Sequence, residues 1–163
     1  MTLQKKAWLT LIALSLSILP LAIGEEKSAN PFPADSAEHA ALEAASPYLG
    51  DDAFLLRQDY WQGNLTTELG KALRLQFFKG NHYRFFFAVK PSRLPKNAQL
   101  HLQIYDKASR QVAAISSQDS SHVIELSFTP KSTDLYLIMM SIEVPKNSSA
   151  RTGIPSVLFY GYK

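Results

Sequence analysis

The chain has 163 residues, of which 46% are hydrophobic, 19% are charged and none is cysteine. This length is usual for one domain with its own core, and the lack of cysteine excludes disulfides as a source of stability. The formal net charge is +3, but residues 25–68 carry 2 basic and 9 acidic residues, whereas residues 69–163 carry 13 basic and 5 acidic ones. Either the acidic part covers and neutralises the basic part, or a basic surface meets an anionic polymer.

The first 24 residues have the features of an export signal. Two lysines precede an apolar run at 7–19, and small residues after Pro20 predict cleavage after Gly24. The apolar run is shorter than the roughly 20 residues that span a bilayer, and an uncleaved anchor is the competing interpretation. We predict a secreted or periplasmic protein, bacterial in character, with a mature chain of residues 25–163 and no transmembrane segment after cleavage.

A short helix is predicted ahead of the strands. Residues 25–34 contain two prolines and few apolar side chains, which predicts a flexible tether. The sequence DSAE at 35–38 resembles a capping box, and the alanines after it continue a helix that Ser46-Pro47 ends. The predicted boundaries are 1–24 for the signal peptide, 25–52 for the tether and the Ala-rich helix, and 53–163 for a β-sandwich domain.

From residue 53 onward the pattern changes to short strands and turns. Apolar and polar residues alternate in several segments, which is the period of a half-buried strand. These segments are 73–77, 83–90, 100–105 and 124–128. The nearly all-apolar run 135–144 predicts a strand buried on both faces. Seven or eight such strands with Pro and Gly turns predict an all-β, antiparallel, jelly-roll-like sandwich.

The segment 83–90, YRFFFAVK, places three phenylalanines side by side. Its odd-numbered side chains, from Tyr83 to Val89, fall on one face of a strand, and they suit a sandwich core. Phe86 is the large apolar residue left on the other face. We predict that Phe86 either lies under a neighbouring loop or the Ala-rich helix, or forms an exposed platform for a ligand.

A ligand surface is predicted around the same strand. Arg84 and Lys90 are an even number of residues apart, so they point to one face with Phe86 between them. Arg74 is predicted to join them, because its strand is expected to pair with this one across the turn at 80–81. Cations around an aromatic ring suit an anionic glycan, and binding should weaken with salt.

Other aromatic residues are candidates for stacking on sugar rings. Trp61 follows Tyr60, and Tyr160 and Tyr162 lie near the C-terminus. The alternative is that these rings belong to the core. The predicted partners are an anionic polysaccharide or an envelope protein, and the exported location argues against nucleic acid.

The sequence lacks the G-x-S-x-G, H-E-x-x-H and P-loop signatures of common enzymes. The predicted class is therefore a non-catalytic binding or accessory module without a cofactor. A structural or partner-binding subunit is the alternative, and a small secreted hydrolase using Ser121 and His122 is a further one. Asp51, Asp52 and Asp59 could supply oxygen ligands to calcium, or they could be solvated loop acids.

The order of the segments resembles that of bacterial pre-peptidase C-terminal domains over about residues 68–142. The matching segments are GNHYRF at 80–85, LHLQIYD at 100–106, IELSFTP at 124–130 and DLYLI at 134–138. This resemblance implies a small jelly-roll-like sandwich. In that family such domains are appended to secreted hydrolases as targeting or binding modules, and collagen-binding relatives use calcium near the start of the domain. A similar binding role is therefore expected, although no catalytic domain is expected in this chain.

Overall fold

The structure, a computed structural model, describes residues 30–51, 53–118, 121–145 and 153–163. The described residues form helix α1 (Ala37–Ala45) and the strands β1 (Leu55–Leu56), β2 (Trp61–Leu65), β3 (Lys71–Phe77), β4 (Tyr83–Val89), β5 (Gln99–Tyr105), β6 (Gln111–Ser116), β7 (Val123–Phe128), β8 (Asp134–Glu143) and β9 (Ile154–Tyr162). They confirm the predicted all-β sandwich with a short N-terminal helix. The predicted signal peptide and the start of the predicted tether lie outside the described residues. Within those described, no helix has the length and hydrophobicity needed to cross a membrane.

The strands form two antiparallel sheets. In the five-stranded sheet, β1 and β2 pair with the same edge of β9, which is followed by β4 and β7. In the four-stranded sheet the order is β3, β8, β5 and β6. Among the described strands, β5 and β6 are the consecutive pair that hydrogen-bond to each other. Strands β1 and β2 follow each other along one edge of β9, and every other consecutive pair is divided between the two sheets.

The predicted hairpin between the strands at 73–77 and 83–90 is wrong. Strand β3 pairs with β8 over its whole length, from Lys71 opposite Met140 to Phe77 opposite Asp134, and so belongs to the four-stranded sheet. Strand β4 is buried on both faces apart from the half-buried Arg84, and β7 and β9 occupy both of its edges. The connection between β3 and β4 therefore crosses from one sheet to the other.

The main core lies between the two sheets. The inward side chains of β4 meet those of β3, β5 and β8, and the largest of them are fully buried. The ring of Phe77 is central, with centroids 4.5 Å from Tyr83 and 5.4 Å from Phe85. The alternation predicted for β4, β5 and β7 is confirmed, because their apolar positions face this core.

A second, smaller core lies between α1 and the outer face of the five-stranded sheet. Ser36 accepts a hydrogen bond from the main-chain nitrogen of His39, at 3.0 Å, and caps the helix. The cap therefore lies one residue after Asp35, where the predicted capping box placed it. Alanine methyl groups let α1 approach the sheet closely, and they pack on the outward side chains of β4 and β9. Part of the predicted tether packs here too, since the ring of Phe32 lies 6.3 Å from that of Phe159.

The outer face of the four-stranded sheet differs from that of the five-stranded sheet. Strand β8 was predicted to be buried on both faces, but its burial alternates, with Leu135 50% exposed and Met139 37% exposed. The prediction is wrong because no element among the described residues covers this face. An apolar strand therefore presents one of its faces to solvent.

Candidate functional site

Phe86 is fully buried between β4 and the segment that contains α1. The ring of Tyr48, just after the helix, lies 5.8 Å from the Phe86 ring. The prediction that Phe86 lies under the Ala-rich helix or a neighbouring loop is therefore confirmed. The alternative prediction, that Phe86 is an exposed platform for a ligand, is wrong. The physical reason is that the alanines of α1 are small enough for the helix to lie directly on this part of the sheet.

Arg84 is held by partners within the protein. Its guanidinium forms an ion pair with Glu125 on β7 and lies 4.0 Å above the ring of Tyr48. The Tyr48 hydroxyl donates to the same carboxylate at 2.9 Å and 3.0 Å. That hydrogen bond raises the pKa of Tyr48 above its ordinary value, because ionisation of the hydroxyl would break it. The charge of Arg84 thus joins β4 to β7 and to the turn that follows α1.

Lys90 is also paired with a carboxylate. Its Nζ lies 3.5 Å from Asp35, which precedes the helix. Asp35 accepts hydrogen bonds from the main-chain nitrogen of Ser92 at 3.0 Å and from its hydroxyl at 2.6 Å, and these bonds lower the pKa of Asp35. A second ion pair joins Asp51 to Lys163 at 2.8 Å. At these two ion pairs, acidic residues of the segment 25–68 neutralise basic residues of the segment 69–163. This agrees with the sequence-based alternative in which the acidic part covers the basic part.

Arg74 does not join Arg84 and Lys90, so the predicted three-cation surface is wrong. It lies on β3 in the other sheet, where its side chain is exposed and forms no ion pair with any described residue. The separation follows from the crossing between β3 and β4. Arg74 is therefore the member of the predicted site that stays available to a ligand.

Arg74 lines a cleft of about 320 Å³ at one open side of the sandwich. The cleft lies between β3 and the connection from β1 to β2, and we call it the Arg74 cleft. Its lining includes the side chains of Arg57, Asp59, Arg74, Phe78, Tyr160 and Tyr162. Sequence reasoning considered Tyr160 and Tyr162 for stacking, but it did not find Arg57 or Phe78, because only the fold brings the β1–β2 connection beside β3.

Arg57 and Asp59 form a fixed polar pair at the rim of the Arg74 cleft. The guanidinium of Arg57 binds both oxygens of Asp59, at 2.7 Å and 2.9 Å. This pair lowers the pKa of Asp59 and raises that of Arg57. Burial is the main cause of the raised pKa of the Tyr160 hydroxyl, and the charge of Asp59 adds to it. The main-chain nitrogen of Arg57 donates to the carbonyl of Tyr160 at 2.9 Å, which holds the connection against β9.

Aromatic rings supply the apolar part of the Arg74 cleft. The ring of Tyr162 lies 5.5 Å from that of Tyr83, and Tyr160 is stacked on Phe85 at 5.9 Å. Phe78 stands at the end of β3 and is 52% exposed. Tyr160 and Tyr162 are half-buried against the main core, as the core alternative predicted, and their remaining surface lines the cleft. A sugar ring carrying a carboxylate matches this combination, since Arg74 can bind the carboxylate in a bidentate manner.

Trp61 is not part of the Arg74 cleft. It lies on β2, where its side chain is half-buried against the main core and covers Gly63. A Cβ added at Gly63 would lie 2.8 Å from the indole atom Cζ2 of Trp61. The Trp61 ring is therefore packed on the protein itself. The predicted stacking of Trp61 on a sugar ring stays a prediction, and the position of the ring does not support it.

The calcium candidates do not come together. Asp51 is paired with Lys163, Asp59 is paired with Arg57, and Asp52 lies outside the described residues. Among the residues that the structure describes, there is no group of three or more His, Cys, Asp or Glu side chains that could hold a metal ion.

The hydrolase candidates Ser121 and His122 form no hydrogen bond or ion pair with a carboxylate that the structure describes. The hydroxyl of Ser121 donates to the carbonyl of Val123 at 2.7 Å. A different cluster was missed by sequence reasoning: the hydroxyl of Ser116 lies 2.7 Å from His101 Nδ1, and Glu143 Oε2 lies 3.1 Å from His101 Nε2. Only the register of β6, β5 and β8 could have revealed it. The cluster lies on the outer face of the four-stranded sheet and lines neither the Arg74 cleft nor a second cleft between β6 and β7.

No protein family model matches this chain, and no curated protein matches it either. The resemblance to pre-peptidase C-terminal domains therefore stays a prediction. Function has to be inferred from the arrangement of the side chains described above.

Proposed function

We propose that this protein is an exported, non-catalytic β-sandwich module of the bacterial envelope or extracellular space. Its ligand is an anionic glycan, bound at the Arg74 cleft. The observation that carries the proposal is the position of an exposed Arg74, without a carboxylate partner among the described residues, beside the rings of Tyr162 and Phe78. The resemblance to domains that act as targeting or binding modules supports the same role.

Charge favours an acidic ligand over a neutral one. Arg57 is neutralised by Asp59, so the uncompensated charge of the cleft comes from Arg74. A hydrogen bond that involves a charged group contributes about 1.5–3 kcal/mol, which corresponds to about tenfold or more in affinity. A uronic-acid carboxylate would receive this contribution, and the sugar face would pack on the aromatic rings.

The test is a binding screen of acidic and neutral polysaccharides with the purified exported protein at low and high salt. We expect acidic polysaccharides to bind, and their affinity to fall as salt screens the exposed charges. Arg74→Ala should weaken binding about tenfold or more. Arg93→Ala is the matched control, because Arg93 is an exposed arginine in the turn after β4 and lies outside the cleft. Binding that resists salt, or that Arg74→Ala leaves intact, would contradict the proposal, as would the absence of binding to any acidic polysaccharide.

The absence of catalysis is part of the proposal and needs its own test. We expect no turnover from a panel of ester, peptide and glycoside substrates. Any activity should be compared in His101→Ala and His122→Ala variants, since these change the cluster found in the structure and the one considered from the sequence. Turnover lost in either variant would replace the binding module with a small secreted hydrolase.

The second candidate function is that of a partner-binding subunit. The specific observation is the exposure of Leu135 and Met139 on the outer face of the four-stranded sheet. A protein partner could cover these apolar side chains. Replacing both residues with glutamine should abolish such an association and leave glycan binding at the Arg74 cleft unchanged.

A further inference from the structure

Strand β6 lies at one edge of the four-stranded sheet, and no other described strand pairs with its outer side. Its six residues, Gln111–Ser116, include exposed Ala114 and Ser116, and Val112 is 42% exposed. An edge strand presents a row of main-chain N–H and C=O groups that can pair with another strand. Two properties decide whether β6 can pair in this way: which of its main-chain groups have no partner among the described residues, and which strand could bind them.

The hydrogen bonds at the end of β6 show which of its main-chain N–H and C=O groups point away from β5, toward the outer edge of the sheet. The main-chain nitrogen of Ser117 donates to the carbonyl of Leu100, and that of Leu100 donates to the Ser117 hydroxyl, both at 2.8 Å. Because the direction of main-chain bonding alternates along an antiparallel pair, Ile115 also bonds toward β5. The main-chain groups of Ala114 and Ser116 therefore point toward the free edge.

Strand β6, like the shorter edge strand β2, lacks the charges that two other edge strands carry. Edge strand β3 carries Lys71 and Arg74, and edge strand β7 carries Glu125. By contrast, residues 111–118 contain no charged residue and no proline. Arg110, immediately before them, is neutralised by an ion pair with Asp106 at 2.7 Å. Charges and prolines are the usual features that keep edge strands from pairing with other chains.

We infer that β6 pairs with the β6 strand of a second copy of this chain, about a twofold axis near Ile115. A twofold axis perpendicular to the sheet makes the two β6 strands antiparallel, and every donor then meets an equivalent acceptor. In this register Ala114 of one copy lies opposite Ser116 of the other, and about four main-chain hydrogen bonds form. The two four-stranded sheets then become one continuous sheet.

The side chains at this edge are compatible with such pairing. Ala114 and Ser116 are small, and the hydroxyl of Ser116 is already held by His101. The uncharged run 111–118 is centred close to the axis, so like charges do not oppose each other. Strand β3, which carries Arg74, is the opposite edge of the same sheet, so the dimer leaves the Arg74 cleft of each copy open.

The test is sedimentation velocity of the purified exported protein from micromolar to millimolar concentration, with two variants at one position. Ala114→Pro removes an N–H that points to the free edge, and Ala114→Lys places a charge close to the twofold axis. Ala72→Lys is the matched control: Ala72 is an exposed alanine on β3, in the same cross-strand row through Met139 and Gln103. It carries the same substitution at the opposite edge of the sheet.

We expect a concentration-dependent dimer for the wild type and for Ala72→Lys. In both Ala114 variants the dissociation constant should rise at least about tenfold, because main-chain hydrogen bonds are lost or charges are opposed. Their melting temperatures should stay close to that of the wild type. A wild type that is monomeric at millimolar concentration, an equal loss in Ala72→Lys, an unchanged dimer in the Ala114 variants, or growth into larger species would each overturn the inference. The affinity of the Ala114 variants for acidic polysaccharides should equal that of the wild type. Because this measurement does not depend on the dimer, failure of the dimer and failure of the proposed function can be told apart.

Discussion

Replacing Phe86 with alanine tests whether the segment containing α1 is an integral part of the fold. The side chain is fully buried, and it is covered by the helix alanines and by the Tyr48 ring at 5.8 Å. Truncating a buried phenylalanine to alanine costs about 3–5 kcal/mol, through lost transfer free energy and the cavity left behind. The alanine methyl groups opposite are too short to fill that space, so we expect a loss of about 4 kcal/mol. For a domain of this size the melting temperature should fall by about 10–15 °C.

Urea unfolding followed by tryptophan fluorescence measures this loss, since Trp61 packs against the main core and is the tryptophan outside the predicted signal. The matched control is Phe78→Ala, the same substitution at a side chain that is 52% exposed. The control should change the free energy of unfolding by only about 0.5 kcal/mol, yet it should weaken glycan binding at the Arg74 cleft. A Phe86→Ala protein as stable as the wild type, but with reduced ligand affinity, would refute this reasoning and restore Phe86 as a ligand platform.

Three further predictions concern contacts that hold the fold. Arg84→Ala should lower the free energy of unfolding by about 1–3 kcal/mol, because it leaves a partly buried carboxylate without its cation; urea titration measures the change. Gly161→Ala should lower the free energy of unfolding by about 1–3 kcal/mol through overpacking, because the added Cβ would lie 2.7 Å from a main-chain oxygen of β1. Gly50→Ala is the control, since a Cβ at Gly50 has no atom within 4 Å. Hydrogen bonds from the main chain and side chain of Arg110 lower the pKa of Asp106, so this carboxylate stabilises the fold above its ordinary pKa. That stabilisation is lost as the pH falls through the lowered value, and acid titration of unfolding should be shallower in Asp106→Asn.

Local sequence patterns predicted the elements and their inward faces, but not the strand partners. A side-chain cap before the helix and the helix end at Ser46 depend on neighbouring residues, so both could be predicted, the cap to within one residue. Alternation likewise placed Phe86 opposite the main core. It could not show that β3 pairs with β8, because alternation defines a face of a strand and carries no information about the strand beside it. The apolar run of β8 misled for a related reason, since composition does not show whether anything covers the outer face.

The sequence likewise could not show which charged residues of the candidate site form ion pairs. Arg84 and Lys90 were predicted to share a face, and they do, but their carboxylate partners Glu125 and Asp35 come from segments distant in the sequence. A cation-rich stretch is therefore not a cation-rich surface until its ion pairs are known. Arg74 kept its predicted availability because it lies in the other sheet.

The uneven covering of the two sheets determines where this protein can meet other molecules. On the five-stranded sheet, α1 covers Phe86, and carboxylates neutralise Arg84 and Lys90, so a ligand would have to displace the helix to reach them. On the four-stranded sheet, nothing among the described residues covers the outer face. Its edges carry the exposed Arg74 on β3 and the uncharged backbone of β6. A ligand at the β3 edge and a partner at the β6 edge would therefore exclude each other only if one of them spanned the sheet. A small glycan bound at β3, as proposed, would leave β6 able to pair.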